Sequence, residues 1–375
     1  MTPLASRHWR TALTAATATV AAALALTACS GSPSSSVTAA TASPNQAGSQ
    51  PAATSPAGTT PASSTPGGTA SGGTSAGCGS ATGTTVSSAS GLRAALKAAV
   101  PGSTIVLSAG VYSGHFEGTA SGTSADPITL CGPRSAVLDG GAVKSGYTFH
   151  LQDADWWRVE GFSIEGGQKG VVTDTSDHVL IDGLYVHDIG DEAIHLRDFS
   201  SYDTVSDNVI RDTGQATSFY GEGIYVGSAN KNWCRYSGCK PDGSNYDIIT
   251  GNNIADTTAE NIDIKEGTVG GLVSGNHFDG TGMNPSSATS WVNVKGNNWK
   301  ITDNTGIDSV ENGLSDHQVY PGWGLDNTFT DNSLSVDGPG YGVFVQNHRL
   351  GVTVACDNQV TGAQKGLSNL DCSSA

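Results

Sequence analysis

Charge is scarce in this chain and unevenly signed: only 14% of its 375 residues are Asp, Glu, Lys or Arg, and 18 basic residues face 34 acidic ones for a formal charge of −16. That balance opposes binding to nucleic acid, and it also repels a polyanionic glycan unless cations intervene. Methionine is nearly absent, with two residues, and aromatics make up 7%. Fifty glycines argue against a helical protein, because glycine is poor in helix interiors. No CxxC pair occurs, which leaves no zinc-site spacing to the seven cysteines.

Residues 1–28 carry Arg7 and Arg10 ahead of an apolar, Ala-rich run, the pattern of an export signal. Leu26-Thr27-Ala28-Cys29 resembles the bacterial lipobox, which implies that Cys29 becomes the lipidated first residue of a cell-surface lipoprotein. The membrane contact expected is the lipid anchor alone. From 29 to 77 the chain is almost entirely Ser, Thr, Ala, Gly and Pro, a composition that cannot bury a core and reads as a disordered tether. The remaining domain, 78–375, holds Cys78, Cys131, Cys234, Cys239, Cys356 and Cys372. An even set in an exported chain fits three disulfides. Cys234 with Cys239 closes a short loop, and Cys78 with Cys131 and Cys356 with Cys372 would staple the two ends.

Within 78–375 the sequence predicts one short helix, Leu92 to Val100, stopped by Pro101-Gly102. Short β-branched runs follow, punctuated by Gly, Pro and Asp. Then the chain repeats itself. An apolar residue, a polar turn and an Asn recur at Asn208, Asn252, Asn276, Asn304, Asn332 and Asn358, at the period of one coil of a three-stranded solenoid. In stacked coils such residues form a ladder, each amide bonding the turns above and below, with Asn itself suited to left-handed backbone. The fold class expected is all-β, a single-stranded right-handed parallel β-helix with an N-terminal capping helix. The opening segments resemble the start of pectate-lyase-like β-helix proteins.

A second recurring strand alternates apolar and polar residues, placing Ile and Val inside and their neighbours outside. The outward column reads His195, Tyr225, Asp263, Asn293 and Phe344, and two residues further on Arg197, Gly227, Lys265, Lys295 and Gln346. Glu192, Glu222 and Glu260 begin three copies of this strand. Stacked carboxylates repel unless protonated or bound to a cation, so Glu222 and Glu260 are candidate calcium ligands, with Glu192 dependent on the stacking. Lys265 and Lys295 fall on adjacent coils. Two amines that close depress each other's protonation, so one could serve as a base.

The segments Gly221 to Ser228, Ala259 to Lys265 and Val292 to Asn298 resemble three consecutive motifs of the family 6 polysaccharide lyases, which include alginate lyases and chondroitinase B. The resemblance implies calcium on Glu222 and Glu260, Lys265 as base and Lys295 as the assisting cation, standing where the family has Arg. It implies β-elimination on an acidic, uronate-containing polysaccharide by a monomeric extracellular enzyme. His195, Arg197, Tyr225, Asp263 and Asn293 would contact sugar. Trp233 and Trp323, on insertions beside the stripe, are candidate stacking platforms. Two other classes remain open: a β-helix glycoside hydrolase using Asp263 with Glu260 or Asp191, and a non-catalytic carbohydrate-binding solenoid.

Overall fold

The computed structural model describes residues 78 and 82–374, so the export signal, Cys29 and nearly all of the tether lie outside the described residues. Within them the chain is a parallel β-solenoid of three sheets, with eleven, nine and ten strands, visited in rotation once per coil. All pairings are parallel. Helix α1, Ala89–Lys97, opens the fold, with Ser88 accepting a hydrogen bond from the Gly91 N–H at 3.1 Å. It begins three residues before the expected start, because Ser88 supplies an N-cap that the apolar spacing alone did not reveal, and it ends at Lys97, three residues before the expected end at Val100. Leu92 and Leu96 point into the first coil.

The core is a column of stacked Ile, Val, Leu and Phe side chains, one layer per coil, with Trp157 and Trp291 fully buried in it. Most strands of the eleven- and ten-stranded sheets bury alternate residues, as in Leu180–Asp182, His277–Asp279 and Thr328–Thr330, which matches the apolar–polar alternation of the sequence. The asparagine ladder forms as expected. Asn208, Asn252, Asn276, Asn304 and Asn332 each donate from Nδ2 to the Oδ1 of the next member, at 2.8–3.0 Å, ending on Asn358. The left-handed backbone, however, belongs to the residue before each of the first five, such as Asp207 (φ 52°), Gly251 (φ 68°) and Asp303 (φ 57°). That division of labour lets the Asn side chain turn inward, where it is fully buried at most coils.

All three expected disulfides are present, Cys78–Cys131, Cys234–Cys239 and Cys356–Cys372. The first and last tie the end coils, and the middle one braces an insertion.

A second ladder, of aspartates, runs along another corner. Asp203 accepts the Val179 N–H at 2.8 Å, and Asp247 accepts the Asp203 N–H at 2.9 Å. Burial, and then each carboxylate's acidic neighbours, push both groups well above the usual carboxylate range.

Two outcomes follow for stability. Asn276→Ala strands the amide contacts of the coils on either side and should cost at least about 3 kcal/mol in urea unfolding, and a loss below about 1 kcal/mol would contradict the ladder's role. The aspartate pair has a different signature. Above the unfolded carboxyl value of about 3.9 the unfolded chain sheds protons that the folded one retains, so this pair lowers stability as pH rises from there toward the raised folded values. Asp247→Asn should therefore raise the melting temperature at neutral pH, by about 2–4 °C per kcal/mol recovered, with the gain shrinking toward pH 4. Equal destabilisation at both pH values would contradict it.

Candidate active site

The nine-stranded sheet carries the site. Its register places His195, Tyr225, Asp263 and Asn293 side by side on successive strands, the column expected from the sequence. Ser315 comes next and only then Phe344, because the strand Asn312–Asp316 inserts a coil that the sequence reading passed over. Three earlier strands, Phe116–Gly118, Tyr147–Gln152 and Lys169–Asp174, extend the sheet the other way. Glu192, Glu222 and Glu260 do share a level, each two residues before a paired Ile. Close stacking there needs Gly223: a Cβ on it would lie 2.6 Å from the Asn261 carbonyl oxygen.

These strands floor a cleft of about 620 Å³. Asp263 sits on its floor and is 1% exposed. Its two carboxylate oxygens are taken by two lysines: Lys265 Nζ lies 2.5 Å from Oδ2, and Lys295 Nζ lies 2.5 Å from Oδ1. Burial opposes charge on Asp263, but the two amines outweigh it and hold its carboxyl below the ordinary value. Lys265 responds in kind. Burial would lower its pKa, yet Asp263, then Tyr225 and Glu222, raise it well above the usual lysine value. The expected mutual depression of the two lysines is thus reversed for Lys265, because a carboxylate lies between them.

Beneath Lys265 lies Tyr225, its ring centre 4.7 Å from Nζ. Burial keeps Tyr225 a phenol. His195 packs against that ring at 4.5 Å between centroids, and its Nε2 donates to the Gly227 carbonyl at 3.0 Å. Burial and the neighbouring Lys169 and Arg197 depress the His195 pKa, leaving it neutral. On the other side a relay orients Glu260. Asn293 Nδ2 donates to Glu260 Oε1 at 2.9 Å, and His317 Nδ1 donates to Asn293 Oδ1 at 2.7 Å. His317 itself falls to about 4, through burial and then Lys295.

Several expected sugar contacts are therefore spent on the protein. Asp263 is a clamp for two amines, and Asn293 uses both ends of its amide to position Glu260. Arg197 is buried, with Nε and Nη2 bonded to Asp174 at 2.6 and 2.9 Å. Trp233 is buried in its insertion, its indole N–H bonded to the Ser228 carbonyl and its ring against Tyr320, and neither it nor Trp323 lines the cleft. The aromatics that do are Tyr147, Phe219, Tyr220, Tyr225 and Tyr236. Phe219 and Tyr220 are each more than half exposed, which sequence pattern alone could not separate from ordinary loop residues. Lys169 was also missed. It stands at the level of Glu192 one coil earlier and forms an ion pair with it.

Glu222, Glu260 and Asp263 bring one carboxylate oxygen each to within 4.8 Å of one another. Glu222 Oε2 is buried without a hydrogen-bond partner. Burial, then Asp263 and Glu260, push the Glu222 carboxyl up to about 7, and burial and Asp263 also raise Glu260. An all-carboxylate donor set with an unpartnered oxygen fits a hard cation such as calcium. The hydrolase reading fares worse, since both oxygens of Asp263 are already committed to lysines.

Comparison with solved structures returns an alginate lyase from Paenibacillus sp. str. FPU-7 at 36% identity and TM-score 0.70, over 78% of this chain and 98% of that one. This chain belongs to the same family, one of β-helix polysaccharide lyases. The pectate lyase Pel9A, at 17% identity and TM-score 0.55 over 74% of this chain and 72% of that one, shares this lyase's fold. A family model described as periplasmic copper-binding protein (NosD) matches residues 133–319, the coils that carry the lyase cleft. No curated protein matches.

Asp263→Asn removes the main charge that raises Lys265. Lys265 should then react faster with an amine-selective reagent at mildly alkaline pH, and the fold should lose about 3–5 kcal/mol from the two amines left without their partner. Unchanged reactivity at Lys265 would contradict the clamp.

Proposed function

We propose that this lyase cleaves a uronate-containing polysaccharide by β-elimination, with Lys265 and Tyr225 as the proton-transfer pair. The single observation that carries the reading is the Asp263 cluster, in which two lysines, two further carboxylates and a buried tyrosine meet on the floor of one open cleft. Alginate is the first polymer to test, because the Paenibacillus relative is named for it.

In the proposed reaction the Lys265 amine takes the proton from C5 of the uronate. The C–H electron pair forms the C4–C5 double bond as the C4–O4 bond breaks. Tyr225, held as a phenol, gives its proton to the departing O4. Lys295 stabilises negative charge developing on the sugar, fixed in place by Asp263. Glu222 and Glu260 would hold calcium, while Asp263 stays paired with its two lysines. A calcium ion there would neutralise the uronate carboxylate and offset the negative charge that keeps Lys265 protonated at rest.

We also place the mature protein outside the cell, as a monomer tethered through lipidated Cys29 and the 29–77 segment. The mass of the mature N-terminal peptide tests that placement, and an unmodified cysteine or cleavage elsewhere would remove it.

Incubation with alginate, polygalacturonate, glucuronan and glycosaminoglycans, followed by ultraviolet absorbance of the unsaturated product, tests the reaction. At least one polymer should give product, and Lys265→Ala should lower kcat by about 10²-fold or more. Retained turnover in that variant would overturn the role of Lys265, and new reducing ends without the chromophore would indicate hydrolysis. Chelation should abolish turnover with recovery on added calcium, and elemental analysis of the purified protein should find about one calcium per chain, lost in Glu222→Gln. A metal-free protein of full activity would exclude the cation.

A further inference from the structure

Away from the Asp263 cluster, at the N-terminal edge of the nine-stranded sheet, a second group of donor side chains shares one outward face. The edge strand Phe116–Gly118 pairs only with Tyr147–Gln152. Register sets Glu117 directly beside His150. His115 precedes Glu117 by two residues, the spacing that returns a side chain to the same side of an extended chain. With Phe116, Gly146 and Tyr147 these three residues line a cavity of about 300 Å³. Along the sheet His150 stands four strands and Glu117 five strands from Asp263, roughly 19 and 24 Å at about 4.8 Å per strand.

Each imidazole has one nitrogen already fixed. His150 Nε2 lies 2.9 Å from Asp174 Oδ2. Burial would raise the Asp174 carboxyl, but hydrogen bonds from Arg197 and His150 hold it below the usual carboxylate range, so Asp174 accepts and Nε2 carries the hydrogen. The Nδ1 lone pair of His150 then faces Glu117 Oε1, 3.6 Å away. A lone pair and a carboxylate that close repel unless a proton or a metal ion lies between them. His115 Nδ1 donates to the Tyr147 carbonyl at 2.9 Å, which leaves its Nε2 as the free acceptor. Gly146 is what admits this ring, since a Cβ there would lie 2.0 Å from His115 Cε1. Metal-binding histidines are oriented in this way, one nitrogen held by a carboxylate or a carbonyl and the other turned to the ion. The three donor atoms do not yet converge within 4.8 Å, a closeness that among the described residues only the group at Asp263 reaches. Glu117, whose side chain is 58% exposed on the open edge of the sheet, is the ligand free to close the set.

We propose that His115, Glu117 and His150 form a second metal site, which takes a divalent transition metal such as zinc and pins the edge strand to its neighbour. Two imidazoles and a carboxylate suit an ion of intermediate softness, whereas the carboxylate pair Glu222 and Glu260 suits a hard one. Three protein ligands leave a fourth position for water. The site stands apart from the elimination chemistry, with four strands between His150 and Asp263 counted along the stack.

The test is a calorimetric titration of untagged, chelator-treated protein with zinc, repeated with cobalt(II) as a coloured stand-in. Wild type should bind one zinc ion that excess calcium does not displace, and zinc at about a hundredfold excess over its Kd should raise the melting temperature by about 4 °C or more. His115→Ala, His150→Ala and Glu117→Gln should each weaken zinc binding by about tenfold or more and remove most of the visible cobalt absorbance. Glu222→Gln should bind this zinc ion as wild type does. Because Glu117 is exposed, Glu117→Gln remains informative if a histidine variant fails to fold. Absence of zinc binding, or a zinc ion retained undiminished in all three variants, would overturn the site and leave His150 as an imidazolium between two carboxylates. Zinc binding lost in Glu222→Gln but kept in Glu117→Gln would place the ion at the Asp263 cluster and overturn it equally.

Discussion

Parallel strands that stack in register impose one constraint on everything else in this molecule: whatever a strand presents at one position, the next coil presents about 4.8 Å away. Buried ladder positions must then be apolar, amide or, as at Asp203 and Asp247, a carboxyl pushed toward its neutral form, since a charge repeated at that spacing has no water to screen it. The asparagine ladder meets the requirement by pairing each amide with the next. Outward positions on the nine-stranded sheet become columns, and a column of unlike residues is a site. Glu222, Glu260, Asp263, Lys265 and Lys295, scattered over 74 positions of sequence, converge because their strands are neighbours in the stack.

The same spacing makes the site electrostatically tense. Three buried carboxylates so close together cannot all remain charged without compensation, and the protein divides the task. Two lysines neutralise Asp263, while Glu222 and Glu260 are left with raised affinity for a proton or a cation. Stored in this way, the imbalance is what a substrate carboxylate, with or without an accompanying cation, would encounter.

Much of this was legible in the sequence, and for a physical reason. Solenoid coils repeat, so the Asn turns, the alternation in Glu260-Asn261-Ile262-Asp263-Ile264-Lys265 and the three cysteine pairs could be aligned by eye. What failed to show had no repeating signal. Asn312-Gly313-Leu314-Ser315-Asp316 lacks the β-branched alternation of its neighbours, so a coil was skipped and Phe344 was placed one strand too near. Lys169 preceded the first strand recognised. That both lysines pair with Asp263, rather than being shared with Glu266 or left free, was not decidable from the sequence, because side-chain direction within a column depends on which partner is closer, and register alone does not decide it. Trp233 illustrates the opposite error: its composition suggested a sugar platform, but the Ser228 carbonyl gave the indole N–H a buried partner.

The most direct test is a crystal structure of the Lys265→Ala variant soaked with a uronate oligosaccharide. The account predicts one uronate with its carboxylate facing Glu222 and Glu260, its C5 directed at the space left by the Lys265 amine, and the tyrosine hydroxyl of Tyr225 beside the glycosidic O4. A sugar chain bound on another face, or crossing the cleft with its carboxylate turned away from those glutamates, would contradict it.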